Sequence, residues 1–404
     1  MSEAGARWAF DDTGPAPEGS GFRIRTITLG LPFRGLDDAA ALDRAATFLH
    51  EARRRFEDAG HAVQTLRVAM PPLPALIGER GHARAIPALA KLEAAASERG
   101  VLLGLGPLAV SDATGTDIAA FACDLAVATG TLCFSLPVAD KRQGASPARV
   151  AAAGAIIARI ARATPGGAGN FRFAATACCG PGIPFFPAAW HEGAAAFALG
   201  IEGPPLLAAA IADVDHADVP GRIASALEAA LAPVAEIAGS LAAARGIAFC
   251  GIDSSPAPLL DASIGVVIER LSGTPFGSAG TLAACAAITG GLQRLSLATC
   301  GFSGLMLPLL EDPVLARRAA EGRFGVNELL LYSSVCGTGL DTVPLAGDTP
   351  PAAIAALIGD LAALALRYDK PLAARLLPVP GKAAGERVAF DIPFLTDSVA
   401  LAIP

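Results

Sequence analysis

Aromatic and charged residues are scarce in this chain. Aromatic side chains account for 5% of its 404 residues and charged side chains for 17%, whereas 53% of the residues are hydrophobic. The core must therefore consist mainly of Ala, Leu, Val and Ile, and helices that pack through alanine can approach one another closely. The length exceeds that of one typical core, which favours either two domains or one large α/β barrel.

Several signals that identify common classes of protein are also missing. The net charge is −7 and no basic stripe is interleaved with aromatics, which argues against a nucleic-acid partner. The eight cysteines show no CxxC or CxxH spacing, so a structural zinc site is not expected. Phosphate-binding motifs of the GK[ST] and GxGxxG types are absent as well.

The N-terminal segment and the longest uncharged stretch bear on the location of the protein. The first residues are polar and lack the apolar centre of a signal peptide, so we expect a cytoplasmic protein with free thiols. The longest uncharged stretch, Leu271–Gln293, begins LSGTPFG rather than with a run of large apolar residues. We expect a polar loop that leads into a buried Ala-rich helix, without a membrane span.

Predicted strands and helices alternate along the chain. Apolar runs and β-branched residues predict strands, and amphipathic segments with Gly or Pro at their ends predict helices. The predicted strands are 23–31, 63–69, 101–110, 132–138, 171–177, 247–252 and 374–378. The predicted helices are 36–59, 86–99, 116–128, 147–164, 190–198, 223–245, 280–289 and 350–368, while 206–214 is mixed and 329–334 is compatible with either structure.

This alternation is typical of a parallel sheet covered by helices. The chain contains no low-complexity linker and no repeat of fixed period. We therefore predict one continuous α/β domain over 21–404, preceded by a frayed segment, 1–20, rich in Gly, Pro and charge.

One polar segment differs from the apolar remainder of the chain. Tyr332–Asp348 reads YSSVCGTGLDTVPLAGD and is predicted to be a loop, the place where chemistry tends to lie. Closely spaced glycines let the backbone turn and approach a ligand. Gly337, Thr338 and Gly339 are therefore candidates for substrate binding.

Seven segments in a fixed order carry a family resemblance. They read IRTITLGL, NFRFAATACCGPGIPFFPAAWH, GIDSSPAP, SIGVVIER with GTPFGSAGT, GFSGLMLPLLED, CGTGLDTVPLAGD and KPLAARLLPVPGK. Together they resemble the domain of unknown function 711 family, also called uncharacterised protein family 0210. The resemblance implies the ten-stranded α/β barrel of pyruvate formate-lyase and other glycyl radical enzymes, but no particular reaction. Ala346 stands where the family commonly has proline, a change we expect to affect loop stiffness rather than chemistry.

The fold's relatives suggest radical chemistry, which this chain does not support. Cys178 and Cys179 invite comparison with the paired cysteines of the lyase, but the chain has no glycine after Gly385. A glycyl radical therefore has no place in the C-terminal segment. The simpler reading of the two cysteines is small buried residues at the end of a strand.

A thiol and an imidazole form the first candidate constellation. Cys336 precedes Gly-Thr-Gly, where helix amides at a strand–helix turn would lower its pKa. A nucleophile needs a base, and His191, at the end of a matched segment, is the natural partner. Cys336 as a buried structural thiol, and His191 as a helix residue bonded to the backbone, are equally compatible with the sequence.

Carboxylates form the second constellation. Acids at the carboxyl ends of strands converge on a barrel mouth, which makes Glu311 and Asp341 candidate catalytic groups. Asp253, Asp341 and Asp348 are candidate ligands for Mg²⁺, Mn²⁺ or Ca²⁺. For the Glu311–Asp312 pair, a helix N-cap followed by Pro313 at N1 is the competing interpretation.

Anion recognition is the third theme. Asn170, Arg172, Arg375 and Lys382 lie in matched segments, and guanidinium groups bind carboxylates or phosphates through two hydrogen bonds. The leading hypothesis is thus a cytoplasmic, homo-oligomeric enzyme that acts on a small anionic metabolite by acid–base or metal-assisted chemistry. The alternative is a non-catalytic sensor or ligand-binding protein on the same barrel.

Overall fold

The computed structural model describes residues 21–77, 81–112, 117–212 and 218–404. The predicted frayed segment 1–20, the first residue of the predicted helix 116–128 and the last two residues of the mixed segment 206–214 lie outside this part of the chain. Within it, strands and helices alternate as the sequence pattern predicts.

The bounds of the elements are as follows. The strands are β1 (Arg23–Gly30), β2 (Val63–Ala69), β3 (Leu102–Gly104), β4 (Phe134–Asp140), β5 (Gly144–Ala145), β6 (Phe173–Ala177), β7 (Ala196–Glu202), β8 (Ala248–Asp253), β9 (Gly339–Ala346), β10 (Leu372–Val379), β11 (Arg387–Val388) and β12 (Ser398–Val399). The helices are α1 (Ala39–Asp58), α2 (Leu73–Ile77), α3 (Gly81–Glu98), α4 (Ile118–Ala128), α5 (Pro147–Ala163), α6 (Pro204–Ala210), α7 (Val219–Arg245), α8 (Ile264–Ser272), α9 (Thr281–Leu292), α10 (Pro313–Ala320), α11 (Val326–Tyr332) and α12 (Pro351–Tyr368).

Two five-stranded sheets form the framework. The first has the order β3-β2-β1-β7-β8 and the second the order β5-β4-β6-β10-β9. Neighbours are parallel except at β1–β7, β10–β6 and β4–β5. Isolated parallel bridges join Gly104 to Cys133 and Pro308 to Asp341 at the sheet edges. The fold is α/β, as predicted, while the pairing among the described residues does not show a closed ten-stranded barrel.

Side-chain caps fix where several helices begin. Asp38, Asp117, Ser146 and Ser263 each accept a hydrogen bond from a backbone amide in the first turn of α1, α4, α5 and α8. Asp312 does the same for α10, where it accepts from two amides ahead of a proline at the first helical position. The N-cap interpretation of Asp312 is therefore confirmed.

Four predictions from the sequence are wrong in detail, and the first is the strand 101–110, of which only Leu102–Gly104 forms β3. Segment 190–198 is not the start of a helix, because it leads into β7, which pairs with β1. The polar segment 332–348 is not simply a loop, because eight of its residues form β9 beside β10. Helix α12 begins at Pro351 rather than at Pro350, and the Thr349 hydroxyl before it donates to Ala346 O.

The long apolar helices pack on the sheets. Helices α7 and α12 are long and apolar enough to cross a membrane by length and composition alone, a test that core helices of soluble proteins also pass. Each buries one stripe of aliphatic residues, such as Leu227 and Leu231 in α7 and Leu357 and Leu361 in α12. The stretch Leu271–Gln293 begins with the last two residues of α8, and the predicted loop and helix follow as a turn and α9.

Candidate functional site

A cavity of about 80 Å³ lies between the two sheets. Arg25 and Arg67 from the first sheet line it opposite Asp341 and Arg375 from the second, and Glu311 lines it from the segment before α10. One buried water needs about 10–15 Å³. The cavity therefore has room for several waters or a small ligand, and its charged residues come from segments far apart in the chain.

Irregular strand pairing places two of these side chains. On β1, the register with β7 shifts between Ile24 and Thr26, so Arg25 is an extra residue in the ladder. On β9, the register with β10 shifts at Asp341 and Thr342, and Thr342 has a positive φ of 45°. Bulges re-aim side chains and are common beside active sites. Arg25 and Asp341 thus lie where the regular alternation of side chains between the two faces of the sheet is interrupted.

Arg375 holds the two carboxylates of the cavity. Its Nε donates to Asp341 Oδ1 at 2.7 Å and its Nη2 donates to Glu311 Oε1 at 2.6 Å. The guanidinium carbon also lies 4.7 Å from the centre of the Phe171 ring. Burial lowers the pKa of Arg375, but the charges of Asp341 and Glu311 outweigh it and raise the pKa above its ordinary value. Arg375 is therefore a fully compensated cation.

Arg25 joins this network to a second ion pair. Its nitrogens lie 3.6 Å from Glu311 Oε2 and 3.6 Å from Glu202 Oε2, and Nη1 donates to Gln64 Oε1 at 2.5 Å. Glu202 in turn accepts from Arg23 at 2.7 Å. Burial lowers the pKa of Arg25, and Glu202 opposes that effect. Every one of these groups is buried.

Arg67 has a different environment from the other two cavity arginines. Its Nε donates to Thr65 Oγ1 at 3.1 Å, and its guanidinium carbon lies 4.9 Å from the centre of the Phe186 ring. Within the described residues, no carboxylate oxygen lies within 4.0 Å of its nitrogens. Burial and then the neighbouring charge of Arg25 lower the pKa of Arg67 to about 9. The group is still a cation at pH 7, and no carboxylate in the described part of the chain pairs with it.

A hydroxyl of the cavity is also without a partner. Thr338 lines the cavity, and its buried Oγ1 makes no hydrogen bond to any described residue. Its backbone carbonyl accepts from Ala373 N, which fixes the residue at the start of β9. A buried hydroxyl left unbonded costs free energy, and a polar ligand in the cavity would supply the missing bond. Thr338 is thus a predicted binding residue that the structure brings into the cavity.

The two glycines beside Thr338 contribute backbone rather than side chains. A Cβ on Gly337 would lie 2.5 Å from Gly304 Cα, and one on Gly339 would lie 2.5 Å from Ala373 O. Gly339 also has a φ of 92°, a conformation that favours glycine. Both residues let the start of β9 pack closely on its neighbours, and Thr338 is held between them.

The predicted nucleophile and base are not brought together at this cavity. Cys336 is buried and its thiol contacts the Cys285 thiol; this hydrogen bond and burial raise the pKa of Cys285. His191 lines a separate cavity of about 140 Å³, where Nε2 donates to Gly193 O at 3.2 Å. Burial lowers the pKa of His191, so the ring is neutral at pH 7.

Three predicted anion-binding residues lie outside the cavity lining. Asn170 is fully buried and donates to Ile157 O. Arg172 donates to the carbonyls of Ala126 and Leu132 near the end of α4. Lys382 is exposed, on the turn after β10. Only Arg375 of the predicted set lines the cavity.

The predicted metal ligands are likewise apart. Asp253 accepts hydrogen bonds from the backbone amides of Ser255, Phe302 and Ser303, while Asp348 is exposed on the turn after β9. Neither lines the cavity that Asp341 lines. Among the described residues, no three His, Cys, Asp or Glu side chains are grouped so as to hold a metal ion.

Arg25 and Arg67 are functional candidates that the sequence reasoning missed. Their segments, RIRTITLG and VQTLRVA, indicate strands, and arginine in a strand is ordinarily taken to face water. The available signal was that both strands are otherwise rich in apolar and β-branched residues. A strand of that kind is buried on both faces, so its arginines need buried partners.

A family model and several individual relatives all assign this chain to the same family. The family described as Uncharacterised ACR (DUF711) matches residues 18–391. A UPF0210 protein of Desulforudis audaxviator is 30% identical over 397 residues, which cover 91% of this chain and 88% of the relative. A UPF0210 protein of Oleidesulfovibrio alaskensis is 30% identical over 417 residues, which cover 94% and 90%. One of Thermoanaerobacter sp. is 28% identical over 420 residues, which cover 95% and 92%.

These matches bear on ancestry and not on the pyruvate formate-lyase-like fold that the resemblance implies. They extend over nearly the whole chain and over most of each relative. The chain therefore belongs to the Uncharacterised ACR (DUF711) family, as its seven ordered segments predict.

Proposed function

We propose that this protein binds a small anionic metabolite in the cavity between its two sheets and acts on it by acid–base chemistry. The observation that carries the proposal is Arg67, a buried guanidinium in the cavity lining without a carboxylate partner among the described residues. An unpaired buried charge costs free energy of folding, so its presence in a cavity indicates a role in binding a ligand. An anionic ligand would pair with it.

Asp341 is the candidate proton acceptor. Its side chain is 18% exposed, more than the 8% of Glu311, and both carboxylates are held in place by Arg375. A general base has to lie within hydrogen-bonding reach of the proton it removes, and Asp341 lines the cavity in which the ligand would lie. Arg375 would hold the carboxylate in orientation, and Arg67 would hold the anionic end of the ligand.

Thermal unfolding in the presence of anions tests the binding step. Butyrate, succinate and inorganic phosphate would be compared with chloride at constant ionic strength, for the unmodified protein and for Arg67→Met. The exposed Arg222, in an i,i+4 pair with Asp218, gives the control Arg222→Met. We expect at least one anion to raise the Tm of the unmodified protein and of the control, but not of Arg67→Met. An anion at about 100 times its Kd would add about 2.7 kcal/mol.

Conversion of the bound ligand tests the chemical step. Proton NMR would follow a stabilising ligand during incubation in D₂O, which also reports exchange of carbon-bound protons. Asp341→Asn should retain binding and lose conversion or exchange. A ligand that stabilises the protein and stays unchanged, with no proton exchanged, would identify a binding protein or sensor instead of an enzyme.

We also propose that the two sheets are the halves of the ten-stranded barrel that the family resemblance implies. The bridges of Gly104 with Cys133 and of Pro308 with Asp341 support closure at two sheet edges. A third bridge, between Ile252 and Thr299, extends the outer strand β8. Backbone NOEs measured by NMR across the two seams would test the closure, and open edges on both sheets would contradict it.

A further inference from the structure

The charged lining of the cavity limits the charge of its ligand. Three guanidinium groups, Arg25, Arg67 and Arg375, face two carboxylates, Glu311 and Asp341. Cys133 also lines the cavity as a buried, neutral thiol. Glu202, just outside the lining, is matched by Arg23 at 2.7 Å. The lining therefore carries one positive charge in excess, which a monoanion would neutralise.

A dianion would reverse that balance. A phosphate monoester carries a charge of about −1.5 to −2 at pH 7, and its second charge would lie in a buried space that already holds Glu311 and Asp341. Like charges in a desolvated site repel strongly. The arrangement thus favours a ligand with one negative charge over a phosphate or a dicarboxylate.

The contacts of Arg67 indicate the shape of the anionic group. Its Nε is engaged with Thr65 Oγ1 and its face lies over the Phe186 ring. Among the described residues, Nη1 and Nη2 make no hydrogen bond. These two nitrogens form the end of the guanidinium fork, which matches the two oxygens of a carboxylate.

The remaining lining is largely apolar and indicates the body of the ligand. Phe171, Phe185, Phe186, Met306 and Phe394 surround the cavity. The space of about 80 Å³ that a water molecule can enter is small and suits a short apolar chain. Thr338, with its unbonded hydroxyl, supplies one polar contact beside these apolar walls.

We infer that the ligand is a short monocarboxylate with an apolar body, and that Nη1 and Nη2 of Arg67 bind its carboxylate through two parallel hydrogen bonds. This inference rests on the proposed anion-binding function of the same cavity. It goes beyond that function because it specifies the ligand's net charge of −1, its carboxylate group and its apolar body.

Isothermal titration with matched probes tests the inference on the unmodified protein. Butyrate is the monocarboxylate, succinate has the same number of carbons and a second carboxylate, and inorganic phosphate is the tetrahedral anion. We expect butyrate to bind at least about tenfold more tightly than the other two, a difference of about 1.4 kcal/mol. Equal or tighter binding of succinate or phosphate would overturn the inference.

Two variants connect this preference to the cavity. Arg67→Lys keeps the charge but removes the fork, and should weaken butyrate at least about fivefold. Asp341→Asn removes one negative charge from the lining with little change in shape, so the excess of positive charge rises from one to two. It should shift the ratio of succinate to butyrate affinity at least about fivefold toward succinate, which a purely structural role of Asp341 would not do. An unchanged ratio would overturn the charge-matching argument.

The outcomes separate this inference from the proposed function. If succinate or phosphate is preferred and the preference depends on Arg67, the cavity is an anion site but not a monocarboxylate site. If none of the anions binds, or if binding is the same in Arg67→Met, both proposals fail. The probe series needs no variant, so an Arg67 variant that does not fold leaves the test of ligand charge decisive.

Discussion

Arg67 and Arg375 line one cavity but differ in how their charges are compensated. Arg375 contacts Asp341 and Glu311, whereas Arg67 contacts a hydroxyl and an aromatic ring. Removing one partner of a buried ion pair leaves an uncompensated charge, while removing an unpaired charge relieves a desolvation cost. The same substitution should therefore destabilise the protein at Arg375 and not at Arg67.

Urea unfolding without ligand measures this contrast. Arg375→Met should lower the free energy of unfolding by about 3–5 kcal/mol, since Asp341 and Glu311 lose their cation. Arg67→Met should leave the free energy of unfolding unchanged or raise it by up to about 3 kcal/mol. This range already includes the stabilisation lost with the Phe186 contact. A loss at Arg67 as large as that at Arg375 would show that Arg67 is a structural residue.

The buried carboxyl of Asp253 gives a prediction about pH. Burial raises the pKa of Asp253 to about 6 in the folded protein, against the partial opposition of hydrogen bonds from Ser255, Phe302 and Ser303. The unfolded chain has the ordinary value of 3.8, so the folded protein binds more protons between these values. The contribution of Asp253 to stability should therefore fall by about 3 kcal/mol in total as the pH rises from below 3.8 to above 6, and about 2 kcal/mol of this loss lies between pH 4 and 6.

A variant isolates that contribution from the other carboxylates. The difference in unfolding free energy between the unmodified protein and Asp253→Asn should shrink as the pH rises from about 4 to 6. At about pH 4 the unmodified protein should be the more stable of the two. Backbone amides donate to both oxygens of the Asp253 carboxyl, and the NH₂ group of an asparagine cannot accept such a bond. A difference that is independent of pH in this window would contradict the raised pKa.

At the scale of elements, close backbone approach fixes the start of β9. A Cβ on Gly337 would lie 2.5 Å from Gly304 Cα, whereas a Cβ on Gly239, inside α7, would meet no atom within 4 Å. Gly337→Ala should therefore cost about 1–3 kcal/mol or more. Gly239→Ala should stabilise the protein by about 0.5–1 kcal/mol through helix propensity. Thermal unfolding of the two variants checks both directions.

The Gly337 substitution also tests the link between β9 and the cavity. Thr338 follows Gly337 directly and lines the cavity, so a displaced backbone should weaken binding of a stabilising anion. Gly239→Ala should leave that binding unchanged. Equal affinity in the two variants would show that the position of Thr338 does not matter for the ligand.

At the scale of the whole molecule, one apolar core connects both sheets. Its fully buried members include Ile27 and Leu66 in the first sheet and Leu136 and Leu377 in the second. The single-domain prediction for 21–404 therefore implies one calorimetric transition, which Arg375→Met should move as a whole. Two transitions, of which only one moves, would indicate separate domains.

Location and assembly are also properties of the whole molecule. The prediction is a cytoplasmic homo-oligomer, and α7 and α12 each bury an aliphatic stripe against the fold. The protein should therefore remain in the supernatant after ultracentrifugation of a lysate without detergent. Light scattering after size exclusion should give a multiple of the 40.5 kDa chain mass. Recovery only in the membrane pellet, or a monomer mass, would contradict the respective prediction.

The sequence by itself determined most of the element order. Periodicity and capping residues located β1, β2, α5 and α12 within a few residues, because those signals are local. They failed at β7 and β9, where Gly, Pro and polar residues indicate turns although pairing with β1 and β10 makes strands. Strand pairing is a non-local interaction and overrode the local preference.

The site shows the same division. Matched segments drew attention to Glu311, Thr338, Asp341 and Arg375, and the structure brings these four into one cavity. Only the tertiary structure decided that Arg67 shares that cavity without a carboxylate partner among the described residues, and that Cys336 and His191 lie elsewhere. The physical reason is that charge compensation in a buried site depends on which side chains approach across two sheets. Residue type and spacing along the chain do not carry that information.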